Sequence, residues 1–111
     1  MSKRLVMIGA ILISGVVSQG ALGATQSISG KVTLVQGHLS AACREVFVQD
    51  SSGTMYTFRI GLPSSGPDSI MTVVLAAEIA QLAVDVVYDP AITTGCGTEP
   101  EIQYVSVHSS N

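Results

Sequence analysis

Apolar and polar residues alternate through most of this chain, and in one place the alternation gives way to helical spacing. From Ser27 to Gln36, Ile28, Gly30, Val32 and Leu34 fall on one side and Ser29, Lys31 and Thr33 on the other. That pattern predicts a strand with one buried face, and Gly30 inside it predicts a bulge or a sharp bend. Gly37–Ala41 reads as a short loop. Ala42–Gln49 reads as a second strand whose core side stays open, because Cys43, Glu45 and Phe47 alternate with Arg44, Val46 and Val48. Asp50-Ser51-Ser52-Gly53 has the length and chemistry of a hairpin turn. Thr54–Ile60 is the third strand, with Tyr56, Phe58 and Ile60 on its apolar face and Thr57 and Arg59 opposite.

Two prolines and two glycines in Gly61–Pro67 then break regular structure. Ser69–Leu82 (SIMTVVLAAEIAQL) predicts a helix, capped by Asp68 or Ser69, with Ile70, Val73, Val74, Ala77 and Ala80 along one broad face. The β-branched residues between Ile70 and Leu75 also allow a strand, but the alanine-rich second half and the capped start favour the helix. After the cap only Thr72, Glu78 and Gln81 are polar, so this helix is apolar on nearly every side. A helix on a monomer keeps a wider polar stripe. Val73, Ala76 and Ala80 are therefore expected at an interface between subunits of a homo-oligomer. Ala83–Tyr88 returns to strand and ends at Asp89-Pro90. Ala91–Pro100 is a loop around Cys96, and Glu101–His108 is the last strand, with Ile102, Tyr104 and Ser106 facing away from Gln103, Val105 and Val107.

The order β-β-β-α-β-β predicts a mainly β domain with one helix: a five-stranded OB-like Greek-key barrel whose helix covers an open end. The competing arrangement is a small open sheet with the helix on one face. Ahead of this domain, residues 1–24 read as a cleaved signal peptide. Lys3 and Arg4 form its basic start, Leu5–Val17 its apolar core and Ala21–Ala24 its small-residue cleavage zone, cut after Gly23 or Ala24. The apolar core is shorter than the roughly 18–20 residues of a membrane span, although a signal anchor is the alternative. Residues 25–111 form a single domain, periplasmic or secreted, with no later membrane span. Loss of the leader leaves Lys31, Arg44 and Arg59 against eight carboxylates, a net charge of −5. Three cations supply few phosphate contacts, which argues against nucleic acid as a partner.

In an oxidising compartment Cys43 and Cys96 are expected to form a structural disulfide, since neither a C-x-x-C spacing nor a lone thiol points to redox work. His38 and His108 are the only groups suited to acid–base chemistry near neutral pH, and no nucleophile motif accompanies them. No spacing of His, Cys or paired carboxylates suggests a metal, and nothing implies a cofactor. The chain reads as a non-enzyme. Arg44 and Arg59, on adjacent strands, are the candidate contacts for an anionic ligand such as a sialylated glycan or an acidic loop. The competing reading pairs each with a nearby carboxylate such as Glu45. Tyr56, Tyr88 and Tyr104 offer either a sugar-stacking platform or core.

The leader, the Gly30-Lys31-Val32 of the first strand, Cys43-Arg44 at the start of the second, the central helix and the late Cys96 together resemble secreted bacterial OB-fold proteins. The outline is similar to the B subunits of AB5 toxins, including the pertussis and subtilase cytotoxin type. That resemblance implies a binding module that recognises host glycans and assembles as a ring. An exported envelope interaction protein, or an enzyme inhibitor without a sugar site, is the alternative.

Overall fold

The computed structural model describes residues 24–108, so of the leader reading only Ala24 falls within the described residues. Five strands and one helix follow in the expected order. They are β1 (Gln26–Gln36), a 3₁₀ turn (Ala41–Cys43), β2 (Glu45–Gln49), β3 (Met55–Arg59), α1 (Ser69–Ala80), β4 (Ala83–Thr93) and β5 (Pro100–Val107). The strands close into a barrel in the order β1-β2-β3-β5-β4. The open-sheet alternative is excluded. All neighbours are antiparallel except β3 and β5, which run parallel and share the single register pair Arg59–Glu101.

β1 serves two partners. Its first half, Gln26–Lys31, pairs with β4, and its second half, Lys31–Gln36, pairs with β2. Gly30 stands at this fork. A Cβ there would run into the Gln49 carbonyl oxygen, so the glycine allows the strands to approach. The bulge itself lies further on, where the register slips between Val32 and Leu34. An extra residue in one strand inverts the alternation beyond it. Val32 is buried, Val35 packs on the core, and Leu34 turns outward, against the simple alternation.

The other strands also depart from the expected bounds for local reasons. On β2 the buried residues are Val46 and Val48, which settles the open face. The residues ahead of it form the 3₁₀ turn rather than strand, with the Cys43 amide donating to the Ser40 carbonyl. β4 does not stop at Asp89-Pro90 but continues to Thr93. The pairing with β5 jumps from Tyr88–Ile102 to Thr93–Pro100, so Pro90 sits where no ladder bond is asked of it. A second slip, between Val87–Tyr104 and Tyr88–Ile102, leaves Gln103 unpaired. Beyond it Val105 packs on the core while Tyr104 is 70% exposed.

The core is a valine-rich plug: Val32, Val46, Val48, Phe58, Ile60, Val84, Val86, Tyr88 and Ile102 from the strands, closed by Val74 and Ala77 of α1. Phe58 and Tyr88 meet edge-on with ring centres 4.9 Å apart. α1 lies against β1 and β5. Asp68 caps it by accepting the Met71 amide at 3.2 Å. It ends two residues before the expected Leu82 because Gln81 adopts a left-handed φ of 57° and turns its amide back to Ala77 and Glu78. The disulfide joins Cys43 to Cys96 with a Cα separation of 5.3 Å, tying the β4–β5 loop to the start of β2. No described helix is long and apolar enough to cross a membrane.

Candidate interaction surfaces

The two arginines singled out from the sequence are brought together, but each is bound within the fold. Their side chains are only 12% exposed. Arg44 meets the Asp68 carboxylate at 2.6 Å and donates to the Ala41 and Gly61 carbonyls. Arg59 meets Glu45 at 3.2 Å and Glu99 at 3.1 Å, and donates to the Cys43 carbonyl. A guanidinium has five donors in a fixed fork, and here the fork is spent on backbone and carboxylates. The competing sequence reading, pairing with Glu45, holds for Arg59, and the same logic extends to Arg44. Both groups act as struts between the disulfide, the β4–β5 loop and the helix cap. Glu99 is held below the ordinary carboxylate range by a backbone hydrogen bond first and by Arg59 next.

Of the helix residues expected at an interface, Ala76 and Ala80 are exposed and Val73 is half-buried. Leu75 and Ile79, which the sequence reading passed over, stand beside them, Ile79 at 81% exposure. The i, i+3, i+4 spacing of Thr72, Leu75, Ala76, Ile79 and Ala80 puts these residues on one uncharged face. Next to it, a groove of about 430 Å³ runs between α1 and β5, lined by Ser69, Ile70, Val73, Gln103, Tyr104 and Val105. Tyr104 thus lies on the surface, whereas Tyr88 is core and Tyr56 packs against it. The bulge at Gln103 makes the difference, and simple alternation could not reveal it. A second cleft, about 220 Å³, lies under the Gly61–Pro67 loop between Asp68, Ile70 and Glu101.

The histidines do not assemble a catalytic site. His38 contacts Gln36 at 2.9 Å on the surface. His108 Nε2 lies 2.7 Å from one oxygen of Asp85, whose other oxygen accepts the Ser29 hydroxyl. The hydroxyl bonds the carboxylate rather than the imidazole, so the three groups do not stand in the serine–imidazole–carboxylate order of a triad. These contacts hold Asp85 below the ordinary carboxylate range, Ser29 first and His108 second. Among the described residues no three His, Cys, Asp or Glu side chains are grouped to hold a metal.

The barrel, with the one helix and the disulfide found among the described residues, has counterparts among known proteins. No family model and no curated protein matches the sequence. Solved structures do match. The cholera toxin-like B subunit from Citrobacter freundii superposes with a TM-score of 0.52 at 15% identity, covering 76% of this chain and 85% of that one. Human heat-labile enterotoxin in complex with a blood group A antigen analog gives 0.53 at 15%, over 77% and 86%. The E. coli heat-labile enterotoxin B subunit carrying a peptide with anti-HSV activity gives 0.51 at 16%, over 77% and 84%. The chain has the fold of a toxin B subunit. The resemblance drawn from element order therefore holds at the level of the fold, although these matches are cholera-like and heat-labile enterotoxins rather than the pertussis and subtilase types. At this identity the likeness speaks for the fold alone.

Proposed function

We propose that this chain is exported, loses residues 1–24, and acts as a non-enzymatic binding module that works as a homo-oligomer and recognises a glycan or a protein surface. The observation that supports it most is the uncharged outer face of α1, where Ile79 is 81% exposed beside Leu75, Ala76 and Ala80. A soluble monomer gains nothing from such a face, while a second copy laid against it would bury several apolar side chains at roughly 25 cal/mol per Å². Beyond Arg59–Glu101, β3 and β5 share no pairing, so β5, which packs on the same helix, has an edge that can take a neighbour's strand. The likeness to enterotoxin B subunits, one of them solved with a blood group A antigen analog, supports the glycan side of the reading.

Light scattering on the mature protein tests assembly. A mass several times that of one chain is expected, and Ile79→Glu is expected to reduce it to one chain while leaving the circular dichroism spectrum intact. A wild-type protein that stays monodisperse and monomeric at millimolar concentration would remove the assembly reading. A glycan array probed with the same material tests the ligand, and an array without hits would redirect the search to protein partners.

A further inference from the structure

Among the described residues Asp89 is the one charged side chain that the fold buries, at 3% exposure. No ion pair there offsets that burial. The neighbouring strands bring no cation to it. By register β1 offers Gln26 and Ser27, and β5 offers Tyr104 and Ile102, the latter flanked by Glu101. The hydrogen bond that reaches Asp89 comes from two residues ahead, where the Ala91 amide donates to Oδ1 at 2.9 Å. An aspartate bonded in this way folds its carboxyl group back over the peptide links that follow it. The first of these is the bond to Pro90.

That bond has a chemistry of its own. Proline carries no amide hydrogen, so its nitrogen cannot close on the Asp89 side chain as another residue's would. Attack by the side chain on the Asp89 carbonyl is the route left open. The bond also stands apart in the sheet. Register pairs with β1 end at Tyr88, and those with β5 lapse between Tyr88 and Thr93. Pro90 is exposed, so water reaches the bond from that side. A carboxyl group fixed beside the carbonyl it attacks has a proximity that an unfolded chain lacks.

We propose that Asp89–Pro90 is a built-in acid-cleavage site, opened by the Asp89 carboxyl group to give a two-chain barrel. In the protonated group one oxygen attacks the Asp89 carbonyl carbon, and the carboxyl proton passes to the Pro90 nitrogen. The C–N bond breaks with its electron pair on nitrogen, and Pro90 leaves as a secondary amine. A five-membered anhydride remains at Asp89, and one water opens it to two carboxyl groups. Cys43 lies before the cut and Cys96 after it, so the disulfide holds both pieces together. Reduction then frees the piece that carries β5.

Intact mass of the mature protein, kept for days at about pH 4.5 where the fold is expected to persist, provides the test. A gain of one water is expected without reductant. With reductant, two pieces are expected, one ending at Asp89 and one beginning at Pro90. The same chain unfolded in concentrated urea at that pH should cleave at least tenfold more slowly, because unfolding releases the carboxyl group from its place. Asp89→Glu keeps the acid but requires a six-membered anhydride, and it too should slow cleavage at least tenfold, with circular dichroism checking that it folds. Should that variant not fold, the comparison of folded and unfolded wild type decides. An unchanged mass, cleavage as fast in urea, or undiminished cleavage in folded Asp89→Glu would overturn the proposal.

Discussion

Arg44 and Asp68 are 24 residues apart in the chain and 2.6 Å apart in the fold, and the same carboxylate that receives the guanidinium also caps α1. One oxygen takes Arg44 and the other takes the Met71 amide, so the helix start is anchored to the beginning of β2 through a single side chain.

Removing that carboxylate breaks both contacts at once. Asp68→Ala should destabilise the domain by about 2–3 kcal/mol, combining a lost cap with an unpaired, mostly buried guanidinium. Asp68→Asn keeps the cap acceptor and should cost about half as much. Thermal melts of the two variants measure the difference, which should exceed 4 °C in a domain of this size. Equal melting points would show that the cap adds nothing and that the Arg44 contact alone matters.

Acid should weaken the fold through the same groups. Burial raises the Asp68 carboxyl, but the Arg44 hydrogen bond, the Met71 amide and the Arg44 charge outweigh it, so the group ends below its ordinary 3.8. Asp50, Asp85 and Glu99 are also lowered. A carboxylate with a depressed folded value contributes stability above its unfolded value and loses it as pH falls through the folded one. Urea midpoints should therefore be flat from pH 7 to about 5 and fall steeply below about 4. In Asp68→Asn the fall should be shallower.

The disulfide closes a separation of 53 residues. Loop entropy puts its contribution at about 4 kcal/mol, so Cys43→Ser with Cys96→Ser should shift the urea midpoint strongly. Adding a reductant to the wild-type protein should reproduce that shift and leave the double variant unchanged.

Gly30→Ala places a methyl group against the Gln49 carbonyl. The strands must separate to admit it, at an expected cost of about 1–3 kcal/mol. Hydrogen exchange should locate the loosening at the β1–β2 ladder near Lys31 and Gln49. Uniformly faster exchange throughout the barrel would point instead to a global loss.

Element order was legible because five alternating runs and one capped, alanine-rich segment each carry their own period. The disulfide was legible from compartment and count. What escaped notice has a common cause: a one-residue slip reverses every later side chain, and nothing in VTLV or EIQYV announces one. Hence Leu34 and Tyr104 face outward against the simple pattern. Pro90 misled for a different reason, since a proline ends a strand only where its missing amide would have been needed, and pairing with β5 lapses there. The arginines stood out by their scarcity. Scarcity cannot tell a ligand contact from a strut, because the partners of Arg44 and Arg59 lie up to 40 residues away.

The barrel is a hoop fastened by one stitch, the Arg59–Glu101 pair between β3 and β5. The disulfide, the Arg59 ion pairs and the Ile60 amide bonded to the Arg44 carbonyl all gather within a few residues of that stitch. The hoop is riveted at its narrowest join and free along the rest of the seam. Because the two strands run parallel and overlap only at this pair, β3 toward Met55 and β5 toward Val107 extend from it in opposite directions, so the free parts of the seam are two separate edges, one on each side of the clasp.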